Sequence, residues 1–280
     1  MKKRIITNQT INAFKTYLVE NEKAEATTQK YIHDIRCFVD YCGEQLLSKT
    51  LILDYKAMLE QTYAIRSANS MLAALDSFFR FLGWHDLCVK QFKVQKETYC
   101  SEEKELTKAE YTALVRTAER KKNERLSLVV QTICGTGIRV SELQSITVEA
   151  VRKGEAIVSC KGKTRKIFIV SALRKKLLRY ATEQKINSGI IFVTKSGKPL
   201  DRSNIWREMK SLCEQAGVSP QKVFPHNLRH LFARTFYGIE KDVAKLADIL
   251  GHSNINTTRI YIITTGAEHQ RRMENMRLII

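Results

Sequence analysis

The chain has 280 residues and carries 47 Lys and Arg against 29 Asp and Glu, a formal charge of +18. The length suits one large domain or two ordinary ones, and 44% apolar with 27% charged residues excludes a disordered chain. No stretch approaches the roughly 20 apolar residues of a membrane helix, and the charge makes a polyanion the first partner to consider.

The opening MKKRIITNQT is basic but has no apolar run behind it, so it does not read as a signal peptide. Four amphipathic stretches then predict a small helical bundle. They are Thr10–Val19, Thr27–Cys42 with Thr27 as N-cap, Lys49–Leu59, and Ser67–Leu82 stopping at Gly83. Residues 85–105 lose this periodicity, and KVQKETYCSEEKE reads as a linker. The charge balance changes with it: residues 1–99 are net +3 and residues 100–280 net +15.

Thr107 and Glu110 form a capping-box signature. Helices are predicted over Lys108–Lys121 and Glu124–Cys134, followed by a hairpin of Ala156–Cys160 and Arg165–Val170 with the basic KGKT at its tip. Further helices are expected at Ala172–Gln184, Ser203–Ala216, Pro225–Tyr237 and Val243–Leu250. Seven scattered cysteines, none in a C-x-x-C pair, read as reduced thiols of a cytosolic protein.

Four segments carry chemistry: TGIRVSEL with Arg139 and Glu142; KGK with Lys161 and Lys163; PHNLRH with His226, Arg229 and His230; and LGH with His252, nine residues before Tyr261. In this combination and order the chain resembles the tyrosine recombinase (integrase) family, in particular its compact Xer-like members. The resemblance covers nearly all of residues 105–265. It implies a mainly α fold with a small β-sheet. An N-terminal four-helix core-binding (SAM-like) domain, residues 1–95, is joined by a linker at 96–105 to a mixed α/β catalytic domain at 106–265. The two would form a clamp on DNA.

The family chemistry falls on matched positions. Tyr261 is the implied nucleophile, forming a 3′-phosphotyrosine and releasing a 5′-hydroxyl. Arg139 and Arg229 suit the non-bridging phosphate oxygens, because a planar guanidinium grips two oxygens at once. Lys161 is the implied general acid, with its pKa depressed by Lys163, Arg165 and Lys166; Lys163 is the reserve candidate. His226 and His252 can donate to the phosphate, and His226 can take the tyrosine proton. Glu142, one turn after Arg139, is expected to orient it. His226 and His230 stand four apart, but HNLRH is not H-E-x-x-H, so no metal is expected and His230 is read as structural. No cofactor is implied, since the covalent link conserves the bond energy and no phosphate-cradling loop is present.

Phosphate contacts are expected from Lys163, Arg165 and Lys166, and from Thr28, Lys30, Arg66 and Asn69 in the N-terminal domain. The expected partner is a double-stranded recombination site, held by a homotetramer through a Holliday junction, with an accessory or second recombinase possible in principle. The apolar residues of 266–280 are expected to pack on a neighbouring protomer. The expected location is the cytoplasm, on the nucleoid when DNA-bound. A type IB topoisomerase and a catalytically silent DNA-binding regulator are the alternatives, to be separated by a covalent adduct lost in Tyr261→Phe.

Overall fold

The apolar rows of the N-terminal third fold as α1 (Asn8–Glu20), α2 (Glu25–Cys42), α3 (Lys49–Thr62) and α4 (Ile65–Phe81) in a computed structural model. It describes residues 4–94, 102–160, 163–194, 196–261 and 273–276. Two compact units divide between Lys96 and Glu97.

In the first unit Phe14, Leu18, Ile35, Phe38, Leu59, Leu72 and Phe78 are buried. Phe14 meets Phe78 edge-on at 5.1 Å, and Phe38 meets Tyr55 at 4.9 Å, the geometry that aromatic quadrupoles favour. Thr7 and Ser48 cap α1 and α3 by accepting from backbone amides. The expected cap at Thr27 is corrected: α2 begins two residues earlier behind Ala24, with Glu25 in its first turn. Ala24 offers its carbonyl to Thr27 and Thr28, and the Glu25 carboxylate complements the positive helix end.

The second unit opens with α5 (Lys108–Arg120), whose Thr107–Glu110 capping box forms reciprocally. Residues just before it already belong to this unit. Arg234 grips the Glu105 carboxylate and the Leu106 carbonyl, and Asn227 donates to the Lys104 carbonyl. The apolar helix α6 (Glu124–Thr136) lies at the centre against α5, α8 (Ser171–Glu183) and α11 (Pro225–Glu240). Between α6 and α8 lie a 3₁₀ segment (Val140–Ser145), α7 (Val148–Lys153) and an antiparallel hairpin of β1 (Glu155–Cys160) and β2 (Lys163–Phe168). Its register sets Val158 opposite Arg165. Ala156, Val158 and Ile167 face the core, whereas Ile157 and Phe168 face outward.

The single helix expected over Ser203–Ala216 breaks into α9 (Arg202–Lys210) and α10 (Cys213–Ala216). The bend keeps Leu212 and Cys213 in the same core as Ile205 and Met209, and Lys121 satisfies the freed Ser211 carbonyl. The chain then forms α11, α12 (Val243–Leu250) and a short α13 (Ile255–Arg259) that the periodicity did not predict.

Candidate active site

The site is built where α6, the hairpin, α11, α12 and α13 meet. Gly137 ends α6 in the left-handed conformation, φ +65°, and turns the chain so that Arg139 enters the 3₁₀ segment. A Cβ on Gly137 would lie 2.5 Å from Phe232 of α11, so the position requires glycine for space as well as for torsion. The extended Phe224 and Pro225 start α11. From there helical spacing brings His226, Arg229 and His230 to one face.

Arg229 is 1% exposed. Its Nη1 donates to the Gly137 carbonyl, and its Nη2 to the Leu250 carbonyl at 2.7 Å and to His252 Nε2 at 3.0 Å. Burial, and then the charge of Arg139, lower its pKa to about 10, which leaves it protonated at neutral pH. Arg139 donates from Nη1 to Glu142 at 2.9 Å and from Nη2 to the Gly251 carbonyl at 3.2 Å, while its backbone amide donates to the other Glu142 oxygen.

Tyr261, 5% exposed, packs its ring on Ala233, Leu246 and Leu250. His230, His252 and His226 lie around the ring at centroid distances of 4.2, 5.3 and 5.5 Å. The Tyr261 hydroxyl meets His226 Nε2 at 3.2 Å. One edge of His226 is open to solvent, yet desolvation of the rest of its ring lowers its pKa, as do Arg229, Arg202 and Arg139. His252 and His230 are both pushed down to about 4, chiefly by burial and then by neighbouring cationic groups. His252 Nδ1 is 2.8 Å from the hydroxyl of Thr258, a fully buried residue of α13. All three rings are therefore neutral near pH 7, and among the described residues the positive charge of the cluster rests on arginine.

Arg139, Glu142, His226, Arg229, His252 and Tyr261 thus come together from segments more than 120 residues apart in sequence. Lys161 lies outside the described residues. Lys163 opens β2 opposite Cys160, and Lys166 is exposed and paired with Glu155.

Three expectations for DNA contacts are corrected. Arg165 is 11% exposed and turns inward, onto Glu142 and the Ile249 carbonyl. Thr28 is 3% exposed, because it lies one helical turn before Ile32 on the buried face of α2. Asn69 is committed at both ends of its amide to the backbone of Phe92, at 2.8 and 2.9 Å. Arg66 is exposed, and Lys30 is half-exposed with its ammonium on the buried Asp34. Sequence reasoning missed Thr258, whose signal was its place one helical turn before Tyr261; His230, read as structural, lines the Tyr261 ring.

Residues 104–267 match the phage integrase family, and residues 11–86 match the phage integrase N-terminal SAM-like domain. The chain is 29% identical over 290 residues to tyrosine recombinase XerA of Pyrococcus horikoshii, covering 100% of this chain and 98% of that protein. It is 30% identical over 283 residues to tyrosine recombinase XerA of Thermococcus kodakarensis, covering 97% and 96%. Tyrosine recombinase XerD of Halalkalibacterium halodurans is 28% identical over 269 residues, covering 88% and 90%. Among solved structures, the fold is similar to XerH site-specific recombinase bound to difH substrate, with TM-score 0.72, 17% identity and coverage of 98% and 85%. It is also similar to a lambda integrase dimer bound to a COC′ core site, with TM-score 0.73, 17% identity and coverage of 92% and 77%.

Proposed function

This chain belongs to the phage integrase family and is a site-specific tyrosine recombinase, a DNA breaking and rejoining enzyme; on that premise we propose that Tyr261 is its nucleophile. The observation that carries the assignment is that the Tyr261 hydroxyl meets His226 at 3.2 Å while its ring lies against His252, which Arg229 holds, with Arg139 on the adjoining Gly251 carbonyl.

His226, neutral and 3.2 Å away, takes the phenolic proton on Nε2. The phenolate oxygen attacks the scissile phosphorus, and the bond to the 5′-oxygen breaks. Arg139 and Arg229 hold the charge that develops on the non-bridging oxygens, in a site already shaped for it. Lys161 gives the departing 5′-oxygen its proton, a role carried over from the family resemblance. A 5′-hydroxyl from another strand then attacks the 3′-phosphotyrosine, and the same groups run in reverse. One phosphoester replaces another at each step, so the energy of the broken bond is kept.

The partner is a duplex recombination site, recognised chiefly through phosphates by the strongly basic second part of the chain. The assembly is a homotetramer on paired sites passing through a Holliday junction, with room for an accessory or second recombinase. The biological task is integration and excision of an element or Xer-like resolution, carried out in the cytoplasm on the nucleoid. No helix among the described residues is long and apolar enough to cross a membrane. The tail, residues 266–280, is described only at 273–276, where Met273 and Met276 are exposed. We assign it to a neighbouring protomer; deletion that leaves cooperativity on two-site DNA unchanged refutes this.

A nicked suicide duplex, carrying the site selected from a random library by binding and cleavage, tests the whole reading. Wild type is expected to form a denaturation-resistant adduct, and Tyr261→Phe to bind the duplex without forming it. An adduct of undiminished yield in Tyr261→Phe removes the proposal.

A further inference from the structure

We propose that Arg165 is a positioning residue of the reaction, which keeps the charge of Arg139 available to the scissile phosphate; this rests on the reading of Arg139 and Tyr261 given above. The sequence suggested a phosphate contact for Arg165, but its guanidinium forms a closed fork on Glu142. Nη1 donates to Oε1 at 3.1 Å and Nη2 to Oε2 at 2.8 Å, while Nε donates to the Ile249 carbonyl at 3.1 Å.

The same two Glu142 oxygens also receive Arg139, through Nη1 and through its backbone amide, at 2.9 Å each. Two guanidinium groups therefore share one carboxylate that is 7% exposed. The charge balance decides what this does. Arg139, Arg165 and Arg229 bring three positive charges, and Glu142 one negative charge. With Arg165 held on Glu142 by a bidentate fork, that pair is self-neutralising, and Arg139 and Arg229 together face a phosphodiester with two positive charges. Without Arg165, the Glu142 carboxylate is set against Arg139 alone and cancels the charge that catalysis requires.

A second relation supports the same role. Ile249, Leu250 and Gly251 present three successive carbonyls at the end of α12, and each accepts from a different arginine: Arg165, Arg229 and Arg139 in that order. The C-terminal end of a helix is its negative pole, so it is a natural seat for guanidinium groups. Arg165 fastens the first of these carbonyls to β2, and the spacing of the other two fixes the distance between the two phosphate-facing arginines. The fit is close: a Cβ on Gly251 would lie 2.6 Å from Arg165 Cδ.

The test compares full-length wild type, Arg165→Gln and Arg165→Lys on the selected site. Affinity is read by fluorescence anisotropy over a salt series, and the adduct rate by single turnover on the nicked duplex at saturating DNA. Arg165→Gln is expected to keep its affinity within about threefold and its salt slope unchanged, and to lose on the order of 100-fold in adduct rate, the scale of one lost transition-state contact. Arg165→Lys keeps the charge but not the fork, and an intermediate loss is expected. On a duplex with a neutral methylphosphonate at the scissile position, the ratio of wild type to Arg165→Gln should shrink, because there is less charge for Arg139 to meet; damage to folding alone would leave that ratio unchanged. A salt slope shallower by about 0.9, with a wild-type saturated rate, would restore Arg165 to the phosphate backbone and overturn the proposal. If wild type itself forms no adduct through Tyr261, it is the nucleophile assignment that fails.

Discussion

Arg229 donates from Nη2 to Nε2 of His252 at 3.0 Å, and that one bond fixes the tautomer of the histidine. A guanidinium has no acceptor, so His252 Nε2 must offer a lone pair. Since burial and the charges of Arg229, Arg139 and Arg165 push its pKa down to about 4, the ring is neutral near pH 7 and its proton sits on Nδ1. The Thr258 hydroxyl, 2.8 Å away, receives it. The Thr258 carbonyl also accepts the backbone amide of Tyr261 at 2.9 Å, so one residue joins Tyr261 to the histidine.

Thr258→Val is therefore expected to alter the ¹⁵N resonances of His252 and to slow adduct formation about tenfold, the worth of one buried hydrogen bond. Thr258→Ser keeps the acceptor and should preserve both. Unchanged His252 resonances in Thr258→Val would show that the ring does not depend on this hydroxyl.

Acid should destabilise the fold in a defined window. His230 and His252 have folded values of about 4, below the ordinary 6.5. Between those values the unfolded chain binds more protons than the folded chain, so stability falls as pH drops from about 6.5 to 4 and levels below it. Thermal unfolding at pH 7, 5.5 and 4.5 should show a falling midpoint. His230→Gln should make the fall shallower. A midpoint flat from pH 7 to 4.5 would rule out the buried neutral rings as its source.

Much of this arrangement could be read in the chain, and the remainder has a physical reason for being hidden. Helix α12 was predicted at its observed ends because Gly251 terminates it, a local signal, and the structure adds Asp242 as its N-cap. The positions that meet around Tyr261 were legible because guanidinium, imidazole and phenol occur in four motifs whose order resembles a known family. Arg165 was misread because whether an arginine faces water or a carboxylate depends on Glu142, 23 residues away, and on the end of α12. Thr28 was misread because it was placed by its nearness to the helix start, although it stands four residues before Ile32 and seven before Ile35, on the buried face of α2. The five-residue α13 is too short to show a period, and tertiary contacts of Thr258 and Tyr261 hold it in place.

Asn69 is expected to matter for the fold of the first unit and not for DNA. Its side-chain amide donates to and accepts from the backbone of Phe92, tying the segment after α4 to that helix. Asn69→Ala leaves one N–H and one C=O of that backbone unpaired. The expected cost is roughly 1–3 kcal/mol in chemical unfolding. Affinity for the selected duplex should change less than threefold, with the salt slope unchanged. A stable variant with a large loss of affinity would return Asn69 to the DNA surface.

Gly251 and Gly217 offer a matched pair for measuring how much the arginine cluster depends on close approach. Both terminate helices in the left-handed region, at φ +64° and +63°. An alanine at either site pays a similar torsional cost, on the order of 1 kcal/mol. The surroundings differ: a Cβ at Gly217 meets nothing within 4 Å, whereas at Gly251 it would lie 2.6 Å from Arg165 Cδ and 3.1 Å from Nε. Gly217→Ala is thus expected to lose about 1 kcal/mol and to cleave at the wild-type rate once DNA is saturating. Gly251→Ala should lose more stability, because Arg165 must leave the Ile249 carbonyl or the Glu142 fork to make room. The saturated adduct rate should fall with it, and the affinity should stay close to wild type. Equal stability and equal rates in the two variants would mean that the Arg165 side chain yields freely, and that the spacing of the three guanidinium groups is not set by the end of α12.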